Sequence, residues 1–142
     1  MQTKGQMEAA ICDGLRRFEQ EYMGRGPDAI YAHLFRDLLV IRLEGVLTAA
    51  ERQLVESLPP EKGRDLLKQV RTHLIEAARL KLQTVIHDIT GVEVVSMHHD
   101  ISTVTGEELV AFTLAREPTF REAKRGKKPG GAIKNATRTG NG

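Results

Sequence analysis

A chain of 142 residues is sized for one domain, and 40% hydrophobic with 28% charged residues fits a globular protein. Aromatics make up 4%, with no Trp, so the core must be aliphatic, and this argues against a stacking platform for bases or sugars. The net charge is +2, and the lone Cys12 excludes an intramolecular disulfide and a thiolate-rich metal site and fits a reducing compartment.

The N-terminal residues Met1-Gln-Thr-Lys-Gly-Gln-Met-Glu8 carry no apolar signal core, and no apolar run approaches the roughly 18 residues that span a bilayer. A cytoplasmic setting is the expectation. Met7, Ile11, Leu15, Phe18 and Tyr22 recur at spacings of three and four, which predicts a helix over residues 3–23 with one apolar stripe. Gly14 weakens it, and Gly24-Arg-Gly-Pro27 ends it.

Residues 29–35 and 38–44 read as two strands with a tight turn at Arg36-Asp37. Arg42 and Glu44 share one strand face and read as a solvated pair rather than a catalytic one. Thr48-Ala-Ala-Glu51 is a capping box, which opens a short helix to about Ser57. Pro59-Pro60 then starts the next helix.

Residues 61–90 read as one long helix, with Leu67, Val70, Leu74, Ala78, Leu82, Val85 and Ile89 on its stripe and Gly91 as its C-terminal cap. About 30 residues reach about 45 Å, against about 26 Å for an eight-residue strand. The helix is expected to overhang its sheet, with the N-terminal helix and a second copy of the chain covering the excess. Residues 92–102 and 108–115 form a second hairpin. Val94, Ser96, His98 and Asp100 lie on one face of its first strand, and Val95, Met97, His99 and Ile101 on the other.

Helices separating pairs of strands predict an α+β fold. Its form is two-layered: a four-stranded, mostly antiparallel sheet of two hairpins against one long and one N-terminal helix. The domain is expected over residues 1–117. Residues 118–142 read as a disordered tail, and 119–142 hold seven basic residues and one acid on an otherwise acidic chain.

Several stretches resemble one family in the right order. They are Gly26-Pro27; Leu39-Val-Ile-Arg-Leu-Glu-Gly-Val-Leu-Thr48 with Ala50-Glu51; Leu82 to Ile89-Thr-Gly91; Val92-Glu-Val-Val-Ser-Met-His98; Asp100-Ile-Ser-Thr-Val-Thr-Gly-Glu107; and Val110-Ala-Phe-Thr-Leu114. Over residues 26–114 the chain is similar to the MpsC-like family. That resemblance implies association with a sodium-translocating, membrane-potential-generating system, and it supplies no catalytic residues. Arg36-Asp37 departs from the Gly-Asp turn of the family pattern.

Two constellations remain. His98, Asp100, Ser102, Thr103, Thr105 and Glu107 gather on the second hairpin as a candidate surface for a ligand or partner. The plainer reading is turn chemistry, with hydroxyls bonded to nearby backbone and Gly106 at positive φ. A metal held by His98 and Asp100 would need further ligands such as His33 or His73, so no metal or cofactor is expected. Lys124, Arg125, Lys127 and Lys128 suit electrostatic docking to anionic lipid or nucleic acid. The resulting expectation is a non-enzymatic, homodimeric accessory protein of a membrane cation-translocating system, cytoplasmic or peripheral to the inner membrane face. The alternative is a small nucleic-acid-associated or regulatory protein using the basic tail.

Overall fold

The computed structural model describes residues 1–57 and 59–122. Helix α1, Lys4–Phe18, starts at a capping box. The Thr3 hydroxyl accepts the Gln6 N–H at 3.1 Å, and the Gln6 side chain accepts the Thr3 N–H at 2.9 Å. The helix does not stay regular to residue 23. It widens into a π-helical turn over Glu19–Met23 and stops at Gly24, whose φ of 84° suits glycine.

Strands β1 (Ala29–Phe35) and β2 (Leu38–Glu44) have the expected bounds. Helix α2, Ala49–Ser57, opens with the anticipated capping box: Thr48 Oγ1 accepts from Glu51 N–H and Glu51 Oε1 from Thr48 N–H. The expected long helix is two helices, α3 (Pro60–Ala77) and α4 (Arg79–Thr90), parted at Ala78 with φ −94° and ψ 8°. Strands β3 (Val94–Ile101) and β4 (Glu108–Leu114) complete the fold. Gly91, at φ 73°, caps α4 as anticipated.

The sheet order is β1-β2-β4-β3, antiparallel throughout, so the two hairpins join edge to edge through β2 and β4. Helix α1 packs on β1 and α4, α2 packs on α3, and α3 and α4 reach β3. Ile30, Ala32, Leu34, Leu39, Ile41, Leu43, Met97, Val110, Phe112 and Leu114 fill the covered face. Gly14 has a specific use here. A Cβ at that position would lie 2.9 Å from Val85 Cγ1, so its absence lets α1 approach α4.

The break at Ala78 removes the expected overhang. Leu67, Ala78 and Leu82 are buried within the monomer, and Val85 and Ile89 pack against the same core. Of the expected stripe Val70 stays exposed, as do Leu66 and Leu80 on the helices, and further open apolar surface lies on the outer face of the sheet. Tyr31, Phe35, Leu38 and Leu109 point outward there at 46%, 60%, 37% and 41% exposure. Residues 118–122 return to the N-terminus, with Phe120 against the core and a bridge between Thr3 and Arg121. The expected tail beyond residue 122, including Lys124, Arg125, Lys127 and Lys128, lies outside the described residues.

Candidate functional site

Four positions that continue apolar rows carry charged or titratable groups instead. On α1 the buried row Met7, Ile11, Leu15 steps by four into Glu19. On α3, Leu67 and Ile75 flank Arg71 at the same spacing. On β4, Glu108 precedes Val110 and Phe112 on the inward face, and on β3, His99 lies between Met97 and Ile101. The fold brings all four together, and Glu51 of α2 joins them.

Arg71 is the centre, at 2% exposure. Its Nη1 donates to both oxygens of Glu51, at 3.0 and 3.2 Å. Its Nε and Nη2 donate to Glu108 at 3.3 and 3.4 Å. Glu19 Oε1 lies 3.8 Å from Nη2, within ion-pair range and beyond a hydrogen bond. His99 Nε2 is 2.6 Å from Glu108 Oε2, so the ring donates to that carboxylate. Its Nδ1 is buried without a partner, alone in this among the buried side-chain polar atoms of the described residues.

Burial pushes the Glu108 carboxyl up, but the hydrogen bond from His99 and the charge of Arg71 outweigh it and hold Glu108 below the usual carboxylate range. Glu19 goes the other way. Burial first, and then the neighbouring Glu108, push its carboxyl up to about 8, against the pull of Arg71. Two carboxylates around one guanidinium therefore settle in opposite states. Arg71 ties the π turn, α2, α3 and β4 to one another.

The residues singled out from sequence lie on the other face or in the β3–β4 loop. His98 points outward, away from the buried side chain of His99. Asp100 is exposed, and its hydrogen bond from Lys68 at 3.1 Å and that from the Ile101 N–H hold its carboxyl low. Ser102 Oγ accepts the Thr105 N–H and Thr105 Oγ1 accepts the Glu107 N–H, each at 3.2 Å. Thr103 is half-buried beside them, and Gly106 takes φ 79°. Glu107 pairs with Arg42, which also lies 3.5 Å from Glu44. Across the sheet, His33 and His98 stand in one row separated by Val40 and Ala111, hence on opposite edge strands. Among the described residues no group of three or more His, Cys, Asp or Glu is placed to hold a metal ion. Cys12 Sγ is 3.8 Å from the Ile30 carbonyl, and burial raises its thiol, the wrong direction for a nucleophile.

Comparison with known proteins adds a family. A family model described as "Na+-translocating membrane potential-generating system (MpsC)" matches residues 3–116, so the match takes in α1 as well as the sheet. The "Uncharacterized protein YbcI" of Bacillus subtilis (strain 168) is 34% identical over 115 residues, covering 81% of this chain and 90% of that protein. No solved structure matches the chain.

Proposed function

The chain belongs to the MpsC family, and from that membership and the open face of its sheet we propose that it is a non-enzymatic accessory protein of a membrane cation-translocating system, acting as a homodimer. Among the described residues no helix is long and apolar enough to cross a membrane. In this reading translocation itself falls to a partner, and this chain docks.

The accessory role rests on the family match, and the observation that carries the homodimer is the uncovered side of the sheet. Strand pairing sets out three outward rows: Tyr31, Arg42, Leu109, Asp100; then His33, Val40, Ala111, His98; then Phe35, Leu38, Thr113, Ser96. The middle is apolar and the charges sit at its margin, where Glu44 and Glu107 already answer Arg42 and Lys68 answers Asp100. An apolar patch with a polar rim is the pattern of a protein contact. Four strands about 4.8 Å apart and seven residues at about 3.3 Å span roughly 19 by 23 Å. Two such faces, with side-chain relief, bury on the order of 1,000 Å², enough for a specific pair. A second copy is therefore the occupant this reading assigns to the sheet face.

Affinity purification of the tagged protein from gently solubilised membranes tests the accessory role. Recovery of an integral transport subunit supports it, and recovery of the protein alone refutes it. Light scattering at micromolar concentration tests the dimer. A dimer that Phe35→Asp with Leu109→Asp turns into a folded monomer is expected, and a wild-type monomer refutes the pairing. The alternative, nucleic-acid binding through Lys124, Arg125, Lys127 and Lys128, rests on residues outside those described.

A further inference from the structure

Around Arg71 the charges do not balance. Three carboxylates, Glu19 from the π turn, Glu51 from α2 and Glu108 from β4, face one guanidinium from α3 and the His99 ring from β3. Arg71 commits Nη1 to Glu51 and commits Nε and Nη2 to Glu108. Glu108 also receives the His99 N–H. Glu19 is left over, 2% exposed and 3.8 Å from the nearest guanidinium nitrogen. A third anion at that place has little water and no donor from Arg71 within hydrogen-bond reach, and burying it on a long ion pair alone is costly. A proton on Glu19 removes that cost.

We infer that this cluster is a buried proton-binding site, that Glu19 is the group that takes the proton, and that its occupancy sets the winding of the Glu19–Met23 turn.

The link to winding is geometric. Glu19 is the first residue of the π turn and continues the buried row of α1. A π turn inside a helix is uncommon and concentrates at functional sites. The backbone that carries Glu19 also carries Glu21, Tyr22 and Met23. Tyr22 and Met23 line a cavity of about 120 Å³ against Arg71 and Glu51. Glu21 and Tyr22 line a groove of about 430 Å³ between α1 and α4, where Lys81 Nζ lies 5.8 Å from the Tyr22 ring centroid. An ionised Glu19 is drawn toward Arg71 Nη2 and away from Glu108, and in this proposal the turn that carries it follows, shifting Tyr22, which lines both spaces. Burial and the Glu108 charge push the Glu19 carboxyl up to about 8, so occupancy changes in the neutral to mildly alkaline range.

The full chain, labelled with ¹³C and ¹⁵N and titrated from pH 5 to pH 9.5, tests both halves. The Glu19 carboxyl, assigned through its own backbone, is expected to titrate with a midpoint near 8. The amides of Tyr22, Met23 and Gly24 are expected to shift with that same midpoint, and Glu19→Gln is expected to abolish their shift. A Glu19 carboxyl already ionised at pH 6 overturns the site. Amides that stay still while the carboxyl titrates, or that keep moving in Glu19→Gln, overturn the coupling. The carboxyl titration needs no variant, so it decides the first half even where Glu19→Gln folds poorly. The dimer and membrane readings play no part in this test.

Discussion

Arg71 and Glu51 are joined through Nη1, which reaches both carboxylate oxygens, while Glu51 Oε1 also accepts the Thr48 N–H. One carboxylate thus closes the cap of α2 and answers part of a buried guanidinium on α3. Removing the guanidinium strips Glu108, fully buried, of its cation and leaves Glu51 holding only the cap. Arg71→Met keeps length and loses charge. It is expected to cost about 3–5 kcal/mol in urea unfolding at pH 8, the range for an orphaned buried charge. The cost is expected to shrink at pH 5, where protons replace part of the lost positive charge. An equal loss at both pH values argues for packing alone.

Glu19 makes the opposite experiment. Its carboxyl, raised from 4.5 to about 8 in the folded protein, binds its proton more tightly there than in the unfolded chain. The stabilisation is fully present below about pH 4.5 and is lost as pH rises through about 8, levelling off above. Gln at this position holds the neutral form at every pH. Glu19→Gln is expected to match the wild type at pH 5 and to exceed it at pH 9 by on the order of a few kcal/mol, read from urea midpoints. A variant weaker than the wild type at pH 9 means Arg71 uses the ionised form.

Much of the fold was legible because its elements obey one period each. Alternation of faces placed β1 and β2 to the residue, and Thr48 with Glu51 marked the start of α2. The break at Ala78 was not legible. No Gly or Pro marks it, and the apolar stripe runs through it, because its cause is tertiary: α3 follows α2 while α4 follows α1. The buried cluster left a faint signal. Arg71 stands between Leu67 and Ile75, Glu19 follows Leu15, Glu108 precedes Val110, and His99 lies between Met97 and Ile101. Each reads alone as an interruption of an apolar row. Only the packing of α1, α3, β3 and β4 shows that the interruptions meet. Sequence reasoning instead chose the neighbouring His98 and Asp100, which do share one face of β3 but whose polarity is spent on solvent and Lys68.

Gly14 reads in sequence as a weakness of α1, and its place against α4 reverses that judgement. A methyl there meets Val85 Cγ1 at 2.9 Å and Ile89 Cδ1 at 3.3 Å, both on α4. Helix propensity alone favours Gly14→Ala by about 1 kcal/mol. Overpacking a helix contact costs about 1–3 kcal/mol, and a β-branched Val85 has no free rotamer with which to yield. Net destabilisation of about 1 kcal/mol is expected. Restoring stability by adding Val85→Ala to Gly14→Ala locates the conflict at this contact, and a stabilised single variant shows that α1 and α4 separate freely.

Arg36 sits at φ 59° in the two-residue turn between β1 and β2, the left-handed region that disfavours a Cβ. The next residue, Asp37, accepts the Leu114 N–H at 2.7 Å, so the turn also anchors the end of β4. Gly at position 36 removes the strain of about 1 kcal/mol but loosens the unfolded chain, which offsets part of the gain. The expected result for Arg36→Gly is stabilisation of about 0.5 kcal/mol, seen as a higher urea midpoint at unchanged slope. Arg36→Ala separates backbone from charge, since it removes the guanidinium and keeps the Cβ. Stabilisation by Gly but not by Ala places the effect in the backbone. Equal stabilisation by both assigns it to the charge, and the left-handed turn is then no burden to the fold.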